Sequence, residues 1–260
     1  MLTAQHAKCI ARGLHESGFA VCDLMMSQNL LKGLVSEVEG LNILEKSGQE
    51  KHRGDKIGWI GREESKALGL KYMPQALRIM LSELPALLHE KVQIEESRHV
   101  LSPERAMLSL YSEGAAYTPH RDSISSSELG LLGLPRAAMR GYANGGITEA
   151  LVEMATLRSE ASKREYTAIL YLNPDDWSAE MDGGVLRIFC GCDEDDKEGG
   201  SATQVEDILP IGGRLVIFDS RTILHAVLPA TRKRFAMTAW LLNEQSVLGQ
   251  RTAMAVKEEY

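Results

Sequence analysis

Bulky rings are scarce in this sequence. Four Phe, three Trp and seven Tyr, 5% of the chain, must serve an interior that 260 residues are enough to build, so Trp59, Trp177 and Trp240 are expected to anchor the core rather than touch a ligand. Cysteine is rare too. The four present cannot be the main scaffold, and the CxC pair Cys190 and Cys192 reads as two free thiols near a strand end, becoming a metal site only if two more ligands come close. Cations do not predominate: 29 Lys and Arg face 36 Asp and Glu, a formal net charge of -7. That balance argues against a nucleic-acid partner, whose binding draws on clustered Lys and Arg. No stretch approaches the roughly 18 apolar residues of a membrane span, and MLTAQHAKCIARGLHESGFA at the start lacks the apolar run of a signal peptide. The expectation is a protein of the cytoplasm or nucleus, with reduced thiols and no membrane partner.

What is present is an ordinary globular mixture, 44% hydrophobic and 25% charged. Helical spacing dominates the first hundred residues. Ser27 can cap a segment whose Leu30, Leu31, Leu34, Val35 and Val38 share one face. The stretch QALRIMLSELPALLHEKV (75–92) repeats that pattern, and Pro85 is expected to kink it or to begin a second helix. GFAVCDL (18–24) and GDKIGWI (54–60) read as short strands. From residue 105 the period changes to two: RAMLSLY (105–111), YTAILYLN (166–173), GGVLRIFC (183–190), GRLVIFDS (213–220) and RFAMTAWLL (234–242) are β-rich runs bounded by turn residues. Strands in series without long helices between them predict an antiparallel sandwich or barrel. The segment 123–165 interrupts them with a Ser/Gly/Pro-rich stretch and a helix over about 148–163, and the acidic run at 190–204 reads as a solvated hairpin loop.

Residues i and i+2 of a strand project to the same face. If YTPHRD continues the strand begun at Arg105, His120 and Asp122 project together and could present two metal ligands, although a surface turn explains a lone HxD as well. His225 follows the strand at 213–220. Two imidazoles and one carboxylate on one face of a metal leave the opposite positions open, an arrangement suited to non-haem Fe(II), and His120, Asp122 and His225 could form it. Nine residues on lies Arg234, whose planar cationic fork can grip a carboxylate through two parallel hydrogen bonds. Arg232 and Lys233 beside it read as a solvated basic turn. His6, His15, His52, His89 and His99 have no partner at metal spacing and read as surface or structural.

In this order, RGDKIGWI (53–60), YSEGAAYTPHRD (111–122), ILYLNPDDW (169–177), DGGVLRIF (182–189), GRLVIFDS (213–220) and HAVLPATRKRFAMTAW (225–240) resemble the 2-oxoglutarate-dependent prolyl 4-hydroxylases, most closely the hypoxia-inducible-factor prolyl hydroxylases and their microbial relatives. The resemblance implies a mainly β fold, a double-stranded β-helix or cupin-like jelly roll, buttressed by N-terminal helices. In that plan 1–104 is a supporting region, 105–243 the catalytic core with the insert 123–165, and 244–260 a tail. It implies a dioxygenase using Fe(II), O₂, 2-oxoglutarate as co-substrate and ascorbate as reductant, acting on a prolyl residue in a protein or peptide. His120, Asp122 and His225 match the iron ligands and the catalytic centre. Arg234 matches the anchor for the distal carboxylate of 2-oxoglutarate, Tyr171 the tyrosine assisting it, and Tyr111 and Tyr117 tyrosines lining the pocket.

Arg53 and Asp55 match a segment bordering a mobile loop over the substrate, and read equally as an ion pair there or as a plain surface pair; an adhesion role for RGD does not suit the compartment. Two departures stand out: the insert 123–165, which either shapes substrate choice or decorates the periphery, and Ala226, where many relatives carry an acid that belongs to the outer shell of the site. Oxygen sensing follows only by analogy. The alternatives are an oxygenase acting on another side chain or a small molecule, and a jelly-roll metal-binding module without turnover.

Overall fold

In the computed structural model the described residues are 2–46, 52–91, 100–123, 161, 163–193 and 196–243. Most of the segment 123–165, the helix read over 148–163 and the tail 244–260 lie outside them. In chain order the elements are α1 (Ala4–Ser17), β1 (Phe19–Asp23), α2 (Gln28–Gly40), β2 (Glu45–Lys46), β3 (Lys56–Gly61), α3 (Arg62–Ala67), α4 (Met73–Arg78), a π turn (Ile79–Glu83), α5 (Leu84–Lys91), β4 (Val100–Leu101) and β5 (Arg105–Tyr111). There follow β6 (Tyr117–His120), β7 (Arg164–Tyr171), α6 (Ala179–Asp182), β8 (Leu186–Cys190), β9 (Gln204–Ile208), β10 (Arg214–Asp219), β11 (Leu224–Val227) and β12 (Arg234–Asn243).

The strands form two antiparallel sheets. The larger has the order β1-β10-β7-β12-β5-β3-β2, with β4 added to β12; the smaller runs β6-β11-β8-β9. The order is that of a jelly roll, and β1 and β3 extend its large sheet at opposite sides. Pro119 falls in β6, which lies at the edge of the small sheet, the kind of strand to which proline is confined.

Strand alternation sorts the large sheet into two environments. Leu215 and Ile217 of β10, Ala168 and Leu170 of β7, Phe235, Met237, Ala239 and Leu241 of β12, and Ala106 and Leu108 of β5 share one core with helix residues such as Ile10, Leu34, Leu77 and Met80. The intervening residues Val216, Phe218, Ile169, Tyr171, Ala236 and Tyr111 share a second core with Leu186, Ile188 and Val227 of the small sheet. Both faces are covered, which is why these strands read as near-continuous apolar runs.

The two helical segments read from the pattern form, and α1, α3 and α6 join them. Ser27 Oγ accepts from the Leu30 N–H at 3.3 Å, and Leu30, Leu31, Leu34 and Val38 are buried while Val35 is half-buried. Pro85 lies in the first turn of α5 (Leu84–Lys91), which follows the π turn, so a new helix begins there as expected. The proline lacks an N–H and in a regular helix would clash with the Leu81 carbonyl; the preceding turn widens into the π turn, and Arg62 donates to that carbonyl instead. The helix-side core is expected to carry stability without carrying the site: Met237→Ala, at a fully buried position, should cost about 2–5 kcal/mol in urea denaturation, and a loss below about 1 kcal/mol would contradict the packing described.

Candidate active site

His120 and Asp122 do not continue the strand begun at Arg105. That strand ends at Tyr111, the chain turns, and β6 belongs to the other sheet, with Asp122 just beyond its end. The two residues meet His225 by a different route. β6 pairs antiparallel with β11 so that His120 lies directly opposite His225, and the register shifts between His225 and Val227, an irregularity of the kind that re-aims side chains beside sites.

Asp122 Oδ1 lies 3.6 Å from His120 Nε2 and Oδ2 lies 3.8 Å from His225 Nε2. One ligating atom from each residue falls within 4.8 Å of the others, a grouping able to hold a metal ion. His120 Nδ1 sits 2.8 Å from the Thr118 carbonyl and His225 Nδ1 3.2 Å from the Ile223 carbonyl. A carbonyl only accepts, so each Nδ1 carries the hydrogen and each Nε2 lone pair is left for a ligand. Burial, reinforced by His120 and opposed by Asp122, pushes the His225 pKa down to about 4. Burial would raise the Asp122 pKa, but its hydrogen bond with His120 and the charges of His225, His120 and Arg164 outweigh it and hold the carboxyl well below its usual range. The donor set at neutral pH is a carboxylate with a neutral His225, the chemistry that suits a divalent transition metal.

These groups line a cavity of about 440 Å³, its open mouth included, between the two sheets. Arg234, 2% exposed, lines it as well. Its Nε donates to the Gly184 carbonyl at 2.8 Å, Nη2 donates to the Tyr171 hydroxyl at 3.3 Å, and the guanidinium carbon lies 5.0 and 4.9 Å from the ring centres of Tyr111 and Tyr171. Among the described residues no carboxylate forms an ion pair with it. The close approach requires glycine at 184, where φ is +65° and a Cβ would stand 3.2 Å from Arg234 Cδ and 2.9 Å from Ala230 Cβ.

The tyrosines divide their positions. Tyr111 is in the cavity wall, and burial pushes its hydroxyl pKa up. Tyr117 is also in the wall, its ring stacked on His120 at 3.6 Å between centroids. Tyr171 is fully buried behind Arg234 and reaches the site through the guanidinium rather than by lining the cavity. The pair Arg53–Asp55 is no plain surface pair: two bonds of 2.7 and 2.6 Å join them, Asp55 is buried, and Arg53 lines the cavity with its guanidinium over Tyr117. Arg232 is likewise tied down, 3.1 Å from Asp176 and 3.0 Å from Asp182, over the ring of Trp177.

The tryptophans depart from expectation. Trp177 is a core anchor, donating to the Gly183 carbonyl at 2.9 Å. Trp59 is 40% exposed beside Trp240, and Trp240 lines the cavity under the Arg164 guanidinium. Trp240, Thr238 and Ala236 share the cavity wall with Arg234. The period of two from Arg234 was the signal for them in the sequence, unused because scarce rings favoured a core assignment. Cys190 and Cys192 are free thiols, and among the described residues no second metal-ligating cluster appears.

A model of the 2OG-Fe(II) oxygenase superfamily matches residues 106–242. The chain belongs to this superfamily. The family's chemistry uses Fe(II), 2-oxoglutarate and O₂, and the grouping of His120, Asp122 and His225 could hold a metal ion. Among curated proteins it is 28% identical over 246 residues to the prolyl hydroxylase EGLN3 of Mus musculus, covering 89% of this chain and 81% of that one. It is 27% identical over 240 residues to Egl nine homolog 1 of Homo sapiens, covering 87% and 44%. Among solved structures, a prolyl-4-hydroxylase of Pseudomonas putida is 22% identical at a TM-score of 0.62, with 92% of this chain and 99% of that one covered. A Trichoplax adhaerens prolyl hydroxylase, solved with a hypoxia-inducible-factor peptide fragment, is 20% identical at 0.64, covering 93% and 91%.

In the metal-free oxygenase the His225 imidazole should therefore remain neutral down to about pH 4. A titration of ring nitrogen shifts by NMR checks this, and a midpoint at the ordinary 6.5 would contradict the buried, His120-facing environment.

Proposed function

We propose that this oxygenase hydroxylates a prolyl residue in a protein or peptide, with His120, Asp122 and His225 as the iron ligands and Arg234 as the anchor for 2-oxoglutarate. One observation carries the reading: two imidazoles, a carboxylate and a buried guanidinium without an ion-pair partner among the described residues line the same cavity between two sheets. The relative above at 28% identity is named a prolyl hydroxylase.

Ferrous iron, when bound with 2-oxoglutarate and O₂, supplies the oxidation of an unactivated C–H bond that no amino-acid side chain can perform. The chain's own residues bind, orient and exclude water. Arg234 offers parallel N–H donors to the far carboxylate of the co-substrate; the Gly184 carbonyl and the Tyr171 hydroxyl fix the guanidinium plane before binding. Ile169, Leu186 and Val227 give the cavity apolar walls. Tyr117 braces the His120 ring, and the guanidinium of Arg53, held by Asp55, lies over the Tyr117 ring. We assign ascorbate as the reductant that maintains the ferrous state, and the cytoplasm or nucleus as the location, on the family likeness and the composition.

A second reading, oxidation of a small molecule, has one observation in its favour: the same fold, at a TM-score of 0.54 and 12% identity, occurs in the alpha-ketoglutarate-dependent epimerase SnoN from nogalamycin biosynthesis. Incubation with proline-containing peptide libraries, followed by mass spectrometry, separates the two. One added oxygen on proline supports the first, whereas 2-oxoglutarate turnover confined to small molecules overturns it. His225→Ala should abolish turnover while the circular dichroism spectrum stays that of the native protein. Arg234→Ala should raise the KM for 2-oxoglutarate about 100-fold, the loss expected on removing a buried charge partner; a wild-type KM would refute the anchor.

A further inference from the structure

The Asp122 carboxylate is backed by a buried chain of hydroxyls. Its Oδ2 accepts from Thr167 Oγ1 at 2.7 Å, and Thr167 Oγ1 lies 2.8 Å from Ser220 Oγ. Both hydroxyl residues are fully buried. Each hydroxyl has one hydrogen, and an ionised carboxylate can only accept. The Thr167 hydrogen is thus committed to Asp122, and Ser220 must donate to Thr167. The direction of the chain is fixed by this count.

The backbone holds the same three residues together. Thr167 sits on β7, flanked by β10 and β12, opposite Phe218 on one side and Trp240 on the other. Its β-branched side chain is stiff at χ1. Ser220 directly follows β10; its N–H donates to the Glu165 carbonyl at 3.0 Å and its carbonyl accepts from the Ser123 N–H at 2.9 Å. One residue therefore links the strand that carries Thr167 to the neighbour of Asp122. The Arg164 guanidinium adds a bond to the Asp122 carbonyl at 3.1 Å.

We propose that Thr167 and Ser220 are positioning residues for the metal: the Ser220-to-Thr167-to-Asp122 chain fixes the rotation of the carboxylate, occupies Oδ2, and leaves Oδ1, the oxygen nearest His120 Nε2, as the atom turned to the ion. This rests on the assignment of His120, Asp122 and His225 as ligands. Neither hydroxyl touches a substrate or moves a proton; each acts through Asp122. A carboxylate freed of the chain could rotate and present either oxygen or both, at a cost in affinity and in the geometry of the site.

The test measures Mn(II) affinity by calorimetry and the visible spectrum of the Co(II) form, with wild type, Thr167→Val, Thr167→Ser, Ser220→Ala and His225→Ala. Thr167→Val should bind Mn(II) about 10–100-fold more weakly, the range seen on loss of an outer hydrogen-bond partner, and should change the Co(II) spectrum. Thr167→Ser, which keeps the hydroxyl, should restore both to within about threefold of wild type. A role confined to packing would lower the melting temperature of the metal-free Thr167→Val protein and leave affinity and spectrum unchanged, and that result overturns the proposal. Should Thr167→Val not fold, Ser220→Ala decides: a loss of about threefold or more supports the chain, and wild-type affinity sinks it. If wild type itself takes up no Mn(II), or His225→Ala binds as well as wild type, the ligand assignment fails, an outcome distinct from failure of the hydroxyl chain alone.

Discussion

The pairing of β6 with β11 is the constraint on which the site depends. These are four-residue strands, and their ladder sets His120 opposite His225, residues 105 apart in sequence (225 − 120 = 105). Backbone hydrogen bonds thereby do what side-chain packing alone would do poorly: they fix the separation of the two imidazoles to the spacing of neighbouring strands. Asp122 needs no strand of its own, because it follows His120 by two residues and is held from behind. The small sheet is secured in turn by β8, which pairs with β11 on one side and β9 on the other, and whose Arg187 bridges to Asp207 on that neighbour through two bonds of 2.8 and 2.7 Å.

A buried arginine is the second constraint, and it opposes stability. Removing a guanidinium from water costs several kcal/mol unless it is paired and hydrogen-bonded. Arg234 has a carbonyl, a hydroxyl and two ring faces, each neutral, and among the described residues no carboxylate ion-pairs with it. Such an environment holds the cation in place while no described residue compensates its charge. A dicarboxylate entering the cavity then gains an interaction that water would otherwise screen. The Asp182–Gly183–Gly184 turn is the local requirement for this, since any Cβ at 184 would meet Arg234 and Ala230.

Much of the core was legible in the sequence because burial on both faces leaves a distinctive trace. The runs at 105–111, 166–173, 213–220 and 234–242 are predominantly apolar, and each became a strand of the large sheet. His120, Asp122, His225 and Arg234, which share one cavity, were legible as spaced motifs whose likeness to a family is specific. The strands carrying the histidines were not: YTPH contains a proline and LHAV is four residues long, so neither has enough alternation to register. The hydroxyl chain was invisible for another reason. A threonine in a β-rich run is explained by strand propensity, and only coordinates show that its hydroxyl meets Asp122. Trp240 was misassigned because composition weighs a residue type, whereas the position two, four and six residues from Arg234 decides the face.

That face explains how the fold separates two demands. Along β12, residues 235, 237, 239 and 241 pack against the helix layer, while 234, 236, 238 and 240 line the cavity. Neighbouring residues of one strand thus serve different ends, and a change on one side reaches the other only through the backbone. The backbone is stiff here: β12 pairs with β5 and β7 over most of its length, so small losses of packing on the helix side should leave the opposite face in register. The helices are accordingly more than a cover for the sheet. By burying one face completely they offset the cost of a second face that holds a cation, two imidazoles and a carboxylate in a cavity.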